Sequence, residues 1–160
     1  MNQRTRFLVH AALLAAMYAA LTVAFAPISY GPVQVRISEM LTVLPFLTPA
    51  AIPGLFVGAM VANAYGGLGV LDVVVGSSAT LAAAFLTYRM KKKWLAPLPP
   101  VLVNALVIGA MLAHLFQLPL VPTILYVGLG QTVACYGLGY PFLLAMEKVA
   151  PALFHTPHSK

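Results

Sequence analysis

The chain has 160 residues, 61% of them hydrophobic and 8% charged, with a mean hydropathy of +0.93. A soluble domain carries about a quarter charged residues, so this composition excludes a soluble globular protein and a disordered chain. Nine Lys and Arg against three Asp and Glu give a net charge of +6, which in a lipid-dissolved chain marks topology rather than nucleic-acid binding.

A helical span takes about 20 apolar residues. With short loops, a chain of this length holds roughly six spans and no separate soluble catalytic domain. Residues 1–160 are therefore one membrane domain. The first span covers about 7–26, closed by Pro27, and is too long for a cleavable signal. Ser29, Gly31 and Pro32 mark a loop. The second span, about 36–48, is short or kinked because it carries Pro45 before Pro49. The third covers about 50–65 and ends in a turn of Gly66, Gly67 and Gly69. The fourth covers about 70–88. A loop follows with Arg89, Lys91, Lys92 and Lys93, then Pro97, Pro99 and Pro100. The fifth covers about 101–116, and Pro119 and Pro122 bracket the next turn. The sixth covers about 123–148, closed by Pro151. The expected fold is an all-α integral membrane bundle of six transmembrane helices.

Orientation follows from the basic residues. Arg4 and Arg6 precede the first span and place the N-terminus in the cytoplasm. Six spans return the C-terminus, with Lys148 and Lys160, to the same side. The loop holding Arg89 to Lys93 also lands there, and an odd number of spans breaks this agreement. Only Arg36 lies outside these clusters. The single cysteine, Cys135, has no internal disulfide partner and reads as a small packing residue.

Polar residues inside spans are costly and default to function. Glu39 falls one turn into span two, Asp72 at the start of span four, and Asn63 at the end of span three. His114 and Gln117 fall at the end of span five. Tyr126 and Gln131 lie in the outer half and middle of span six, and Gln34 and Arg36 at the entry to span two. Asn104 is the exception, toward the inner half of span five. Five spans thus gather polar groups in the outer leaflet, the pattern of a pocket opening outward and not of a through-pore. Plainer readings stand beside this one. Arg36 and Glu39 are spaced to pair along one helix face. Asp72 suits a helix N-terminus. Asn104 and Gln131 suit interhelical hydrogen bonds. Asn63 suits a helix end, and Glu147, beside Lys148, an interfacial position.

Small residues give a second signal. Span one carries two rows at a spacing of four: Ala11, Ala15 and Ala19, and Ala12, Ala16 and Ala20. Such strips let another helix approach closely. Gly54, Gly58 and Ala62 form a similar row in span three, which internal packing explains. Two rows on span one exceed one internal contact and point to a partner helix outside the chain. The sequence holds no phosphate-binding Gly-rich loop, no metal-ligand spacing, no serine nucleophile with a His in its span and no evident inverted repeat. No cofactor or metal is expected, and the energy for any transport comes from other subunits.

The segment Tyr30-Gly-Pro-Val-Gln-Val-Arg-Ile-Ser-Glu-Met-Leu-Thr-Val-Leu-Pro45 resembles the signature of the QueT family of queuosine-precursor transporters. Val61-Ala-Asn-Ala-Tyr65, Leu71-Asp72, Ala96-Pro-Leu-Pro-Pro-Val101, Tyr126-Val-Gly-Leu-Gly130, Cys135-Tyr136 and Leu138-Gly-Tyr-Pro141 extend the likeness over nearly the whole chain. Such proteins resemble the substrate-binding S components of energy-coupling factor (ECF) transporters. The resemblance implies a six-helix, multi-pass subunit of a prokaryotic plasma membrane. It implies docking on a transmembrane coupling subunit that carries two ATPases, with the whole subunit toppling to release substrate inside. It also implies that the alanine rows on span one, Ala11 to Ala20, are the docking surface. The expected ligand is a 7-deazaguanine base, and nucleic acid is not a partner.

A deazaguanine presents adjacent N–H donors and one carbonyl. A carboxylate accepts two such donors side by side, which makes Glu39 the first choice and Asp72 the second. Asn63, Asn104 or Gln131 could read the remaining edge, and Tyr30, Phe46, Phe116 or Tyr126 could stack on the ring. Gln34 and Arg36 complete the candidate set, Arg36 as a residue that orients a carboxylate. The family pattern often has Glu where this sequence has Gln131. That departure weakens the case for a cationic aminomethyl ligand and opens the case for the nitrile precursor or queuine. Other readings are an S component for another vitamin, an ion-coupled carrier, and a small membrane enzyme using Glu39 or Asp72 as acid or base.

Overall fold

A computed structural model describes residues 2–30 and 35–149. Among these residues all regular secondary structure is helical, with no strand. Helix α1 spans Gln3–Ala24, and the Asn2 side chain caps it by accepting from the Arg4 amide. It ends three residues before Pro27, which instead sits in the first turn of a short α2, Ala26–Ser29. A proline is tolerated there because a first-turn amide has no intrahelical partner. Two further expected turns are corrected for the same reason. Pro99 and Pro100 belong to the start of α5, Leu98–Leu115, and Pro122 to the start of α6, Leu120–Thr132.

The expected second span is a 3₁₀ helix, Ile37–Phe46, with Pro45 inside it. At about 2.0 Å per residue, its ten residues reach roughly 20 Å, which an α-helix of that length does not. Helix α3, Ala51–Gly66, returns beside it. The expected fourth span opens with a π-helical stretch, Asp72–Gly76, and continues as α4, Ser77–Arg89. The last apolar run is continuous over Leu120–Val149, but its centre, Val133–Gly139, is π-helical before α7, Tyr140–Val149. Single π-helical turns recur at functional sites. Among the described residues, three runs are long and apolar enough to cross a membrane: Gln3–Ala24, Lys93–Leu115 and Leu120–Val149.

Helices α1 and α3 pack closely because glycines face alanines. A Cβ on Gly54 would stand 2.7 Å from the Ala11 carbonyl oxygen, and one on Gly58 would stand 2.8 Å from the Ala15 carbonyl oxygen and from the Tyr18 Cβ. The buried stripe of α1 is Ala11, Leu14, Tyr18 and Thr22. It meets Leu41 and Leu44 from the 3₁₀ helix, Leu47 just after it, Leu55 and Ala59 from α3, and Leu143 from α7, in one hydrophobic core. A second core joins Ala79, Ile108, Met111, Leu112 and Val127 across α4, α5 and α6.

One end of the bundle collects basic side chains. A cavity there is lined by Gln3, Arg6 and His10 of α1 and by Thr48, Pro49 and Ala50. An apolar groove continues from His10 and Thr48 to Phe142 and Met146 of α7. Lys93 pairs with Glu147 across 2.7 Å.

Candidate functional site

Between the two cores lies a row of buried polar side chains. Glu39 is in the first turn of the 3₁₀ helix and is 2% exposed. Its Oε1 accepts from the Tyr18 hydroxyl at 2.5 Å and its Oε2 from the Asn104 amide at 3.2 Å. Asn104 Nδ2 also donates to Gln131 Oε1 at 3.1 Å. The Cys135 thiol lies 3.6 Å from both the Glu39 carbonyl and Gln131 Oε1. The Thr42 hydroxyl donates to the same Glu39 carbonyl at 2.6 Å. Three segments, α1, the 3₁₀ helix and α5, therefore meet at one carboxylate, and the last run joins them through Asn104 and the Glu39 main-chain carbonyl.

A second group lies beside it. Arg36, itself buried, donates through Nη1 to Asn63 Oδ1 at 2.8 Å and through Nε to the Ser29 carbonyl at 3.3 Å. Its guanidinium stands 5.4 Å from the centroid of the Tyr30 ring. Tyr30 is held in turn by its hydroxyl, which donates to the Ala62 carbonyl at 2.6 Å. Asn63 Nδ2 donates to the main-chain carbonyl of Asp72 at 3.1 Å. Gly76 makes room for this contact, since a Cβ there would collide with the Asn63 amide. The Asp72 carboxylate is buried, and neither oxygen has a hydrogen-bond partner among the described residues. The two groups join along the backbone, where the Glu39 amide donates to the Arg36 carbonyl at 3.0 Å, and Thr22 and Ser38 share a hydroxyl contact of 2.6 Å nearby.

Six of the eight expected ligand-binding residues fall in these groups: Arg36, Glu39, Asn63, Asp72, Asn104 and Gln131. Gln34 lies outside the described residues. Tyr126 does not join them. It is 54% exposed, because the buried face of α6 is Thr123, Val127, Gly130 and Gln131, and one residue of offset turns a side chain about 100° away. His114, Phe116 and Gln117 are also exposed, and Phe46 is in the hydrophobic core. Of the expected stacking residues, Tyr30 alone stands beside the polar groups.

Three further expectations need correction. Asn104 is not apart from the cluster. It lies eleven residues before the end of α5 at Leu115, and Gln131 eleven after the start of α6 at Leu120, so the α5–α6 hairpin sets them at equal depth. Asp72 does not serve as a helix-terminus acceptor, since no backbone N–H reaches its carboxylate. Arg36 and Glu39 do not form the expected side-chain pair, because the guanidinium turns to Asn63 and the carboxylate to Tyr18 and Asn104.

The alanine rows divide. Ala11 is buried, and Ala11 and Ala15 face Gly54 and Gly58 of α3. Ala19 is partly buried in the same row, whereas Ala12, Ala16 and Ala20 are exposed in a row about 100° around the helix. The first row is thus an internal contact.

Tyr18 was not among the expected residues. Its signal was the spacing of Ala11, Leu14, Tyr18 and Thr22, one helical stripe that carries a hydroxyl where the core begins. Cys135, expected only to pack, is a member of the polar row.

The model of the QueT transporter family matches residues 8–148. A protein of Lactococcus lactis subsp. cremoris (strain MG1363), named queuosine precursor transporter QueT, is 39% identical over 82 residues. That match covers 50% of this chain and 48% of the relative, so it spans about half the length of the curated protein. No solved structure matches. The family match takes in all of the polar row, from Tyr18 to Cys135, and the chain belongs to the QueT transporter family.

Proposed function

We propose that this multi-pass protein of the cell membrane is the substrate-binding subunit of an ATP-driven ECF importer, and that its substrate is a queuosine precursor with a 7-deazaguanine ring. The observation that carries this reading is the buried Glu39 carboxylate held by Tyr18 and Asn104. Each carboxylate oxygen accepts about two hydrogen bonds, so a second acceptor position stays open on each. Two adjacent ring N–H groups match two adjacent carboxylate oxygens. Gln131 and Asn104 supply amide groups for the carbonyl edge, and Tyr30 supplies an aromatic face held in place by Arg36 and Ala62.

In this reading the chain makes six passes, with both termini and every basic cluster in the cytoplasm. The 3₁₀ helix and α3 form the second and third passes. The Lys93–Glu147 pair and the cavity lined by Arg6 support it, since they set basic residues at the start of α1 and in the α4–α5 connection, the latter against the end of α7. The polar row then lies near mid-membrane. Ala12, Ala16 and Ala20 form the smooth outer face for a coupling subunit, which brings two ATPases. The chain binds and does not catalyse.

The test is ligand-induced stabilisation of the purified chain in detergent against 7-deazaguanine bases, queuine, guanine and common vitamins. A ligand at about 100 times its dissociation constant stabilises by about 2.7 kcal/mol. A shift specific to 7-deazaguanines supports the reading. A shift with a different vitamin keeps the architecture and refutes the ligand class.

A further inference from the structure

The cavity at the basic end and the apolar groove beside it are one continuous surface, since His10 and Thr48 line both. The cavity measures about 250 Å³, many times the roughly 30 Å³ that a water occupies. Gln3, Arg6 and His10 give it a polar, basic wall. Past His10 and Thr48 the groove is apolar, with Leu13 and Met17 of α1 on one side and Phe142 and Met146 of α7 on the other. No carboxylate lines either part.

The change of character runs along one helix face. Gln3, Arg6, His10, Leu13 and Met17 follow one another at three or four residues, so they form a single stripe of α1. Its first turns are polar and basic, and its later turns are apolar. From Arg6 to Met17 the stripe runs about 17 Å at 1.5 Å per residue, close to half of the roughly 30 Å hydrocarbon core of a bilayer. Leu13 and Met17 are exposed along it, and Met17 and Met146 are flexible walls that adapt to what fills the groove.

A phospholipid joins an anionic headgroup to an apolar chain in the order that this stripe presents. The Arg6 guanidinium suits phosphate oxygens, and the Gln3 amide adds N–H donors. At the junction the buried Thr48 hydroxyl accepts from the Ala50 amide at 3.4 Å, a bond that does not use its own hydrogen. Basic pockets at the membrane surface are suited to anionic headgroups.

We infer that this surface is a binding site for one anionic phospholipid, with its phosphate at Arg6 and an acyl chain laid along the groove between α1 and α7. Ala12, Ala16 and Ala20 line neither part, so the lipid leaves that row open. The inference is independent of what the polar row binds.

The experiment is native mass spectrometry of the purified full-length chain, titrated with phosphatidylglycerol and separately with phosphatidylcholine of the same chains. The expected result is one saturable phosphatidylglycerol, bound at least about fivefold more tightly than phosphatidylcholine, the scale of one basic side chain at a membrane surface. Arg6→Gln is expected to remove most of that preference. Lys91→Gln, an equal loss of charge at an exposed position, is expected to keep it. Should Arg6→Gln not fold, the wild-type chain in vesicles decides: phosphatidylglycerol with a photoreactive acyl chain is expected to label Leu13, Met17, Phe142 or Met146. Equal affinity for the two lipids, or a preference lost equally in Lys91→Gln, would overturn the inference. So would displacement of the lipid by an equal concentration of glycerol phosphate, which would make the cavity a free-phosphate site. An unlabelled groove, covered by the residues after Val149 or by a second copy of the chain, would overturn it as well.

Discussion

The Tyr18 hydroxyl donates to Glu39 Oε1 at 2.5 Å, with both side chains buried. The contact joins α1 to the 3₁₀ helix at the level where Asn104 and Gln131 meet. The same tyrosine packs its Cβ toward Gly58 of α3. Site geometry and helix packing therefore share one residue.

Tyr18→Phe removes the donor and keeps the ring. It leaves Glu39 Oε1 without that bond in a buried setting, which costs about 1–3 kcal/mol. Thermal unfolding in detergent is expected to show that loss. Ligand affinity is expected to fall as well, because the carboxylate loses its fixed orientation.

Gly58→Ala tests the α1–α3 contact. The added methyl meets the Ala15 carbonyl oxygen and Tyr18 Cβ at 2.8 Å, and backbone has little room to yield. Overpacking of this kind costs about 1–3 kcal/mol. The variant is expected to melt earlier and, because Tyr18 must shift, to bind ligand less well. A variant as stable as wild type would contradict the packing described.

Ala16→Leu enlarges the exposed row without touching α3. Its stability is expected to stay within about 0.5 kcal/mol of wild type, with ligand binding intact. Transport reconstituted with a coupling subunit and its ATPases is expected to be impaired. Unimpaired transport would remove the outer alanine row as the docking face.

Tyr126→Ala and Lys93→Ala are expected to leave ligand affinity within about twofold of wild type. Tyr126 points away from the polar row, and the Lys93–Glu147 pair is partly exposed at the basic end, where such pairs contribute about 0–1 kcal/mol. A tenfold loss of affinity in Tyr126→Ala, read by titration calorimetry, would put this residue back in the site.

Much of this was legible in the amino-acid sequence because lipid makes polar residues conspicuous. Glu39, Asp72, Asn63, Asn104 and Gln131 stand out in apolar runs, and all are buried. What was hidden depended on helix geometry. Counting depth along the expected spans set Asn104 apart from the cluster; it does lie in the first half of α5, Leu98–Leu115, but Glu39 and Gln131 reach it there. The side that Tyr126 faces is hidden because a tyrosine in an apolar run gives no indication of which way it points. Tyr18 was passed over because a tyrosine in an apolar helix suits a core as well as a site. The 3₁₀ form of Ile37–Phe46 and the two π-helical stretches have no signature in hydrophobic periodicity, yet the first and last of them carry Glu39, Thr42 and Cys135 in the polar row.

The most direct measurement is equilibrium binding of a 7-deazaguanine base to the purified chain and to Glu39→Gln. Glu39→Gln keeps the shape and removes the charge that strengthens both ligand contacts. The account predicts saturable binding by the wild-type chain and a loss of affinity of about tenfold or more in the variant. Wild-type binding that Glu39→Gln leaves unchanged would contradict the central role given to this carboxylate.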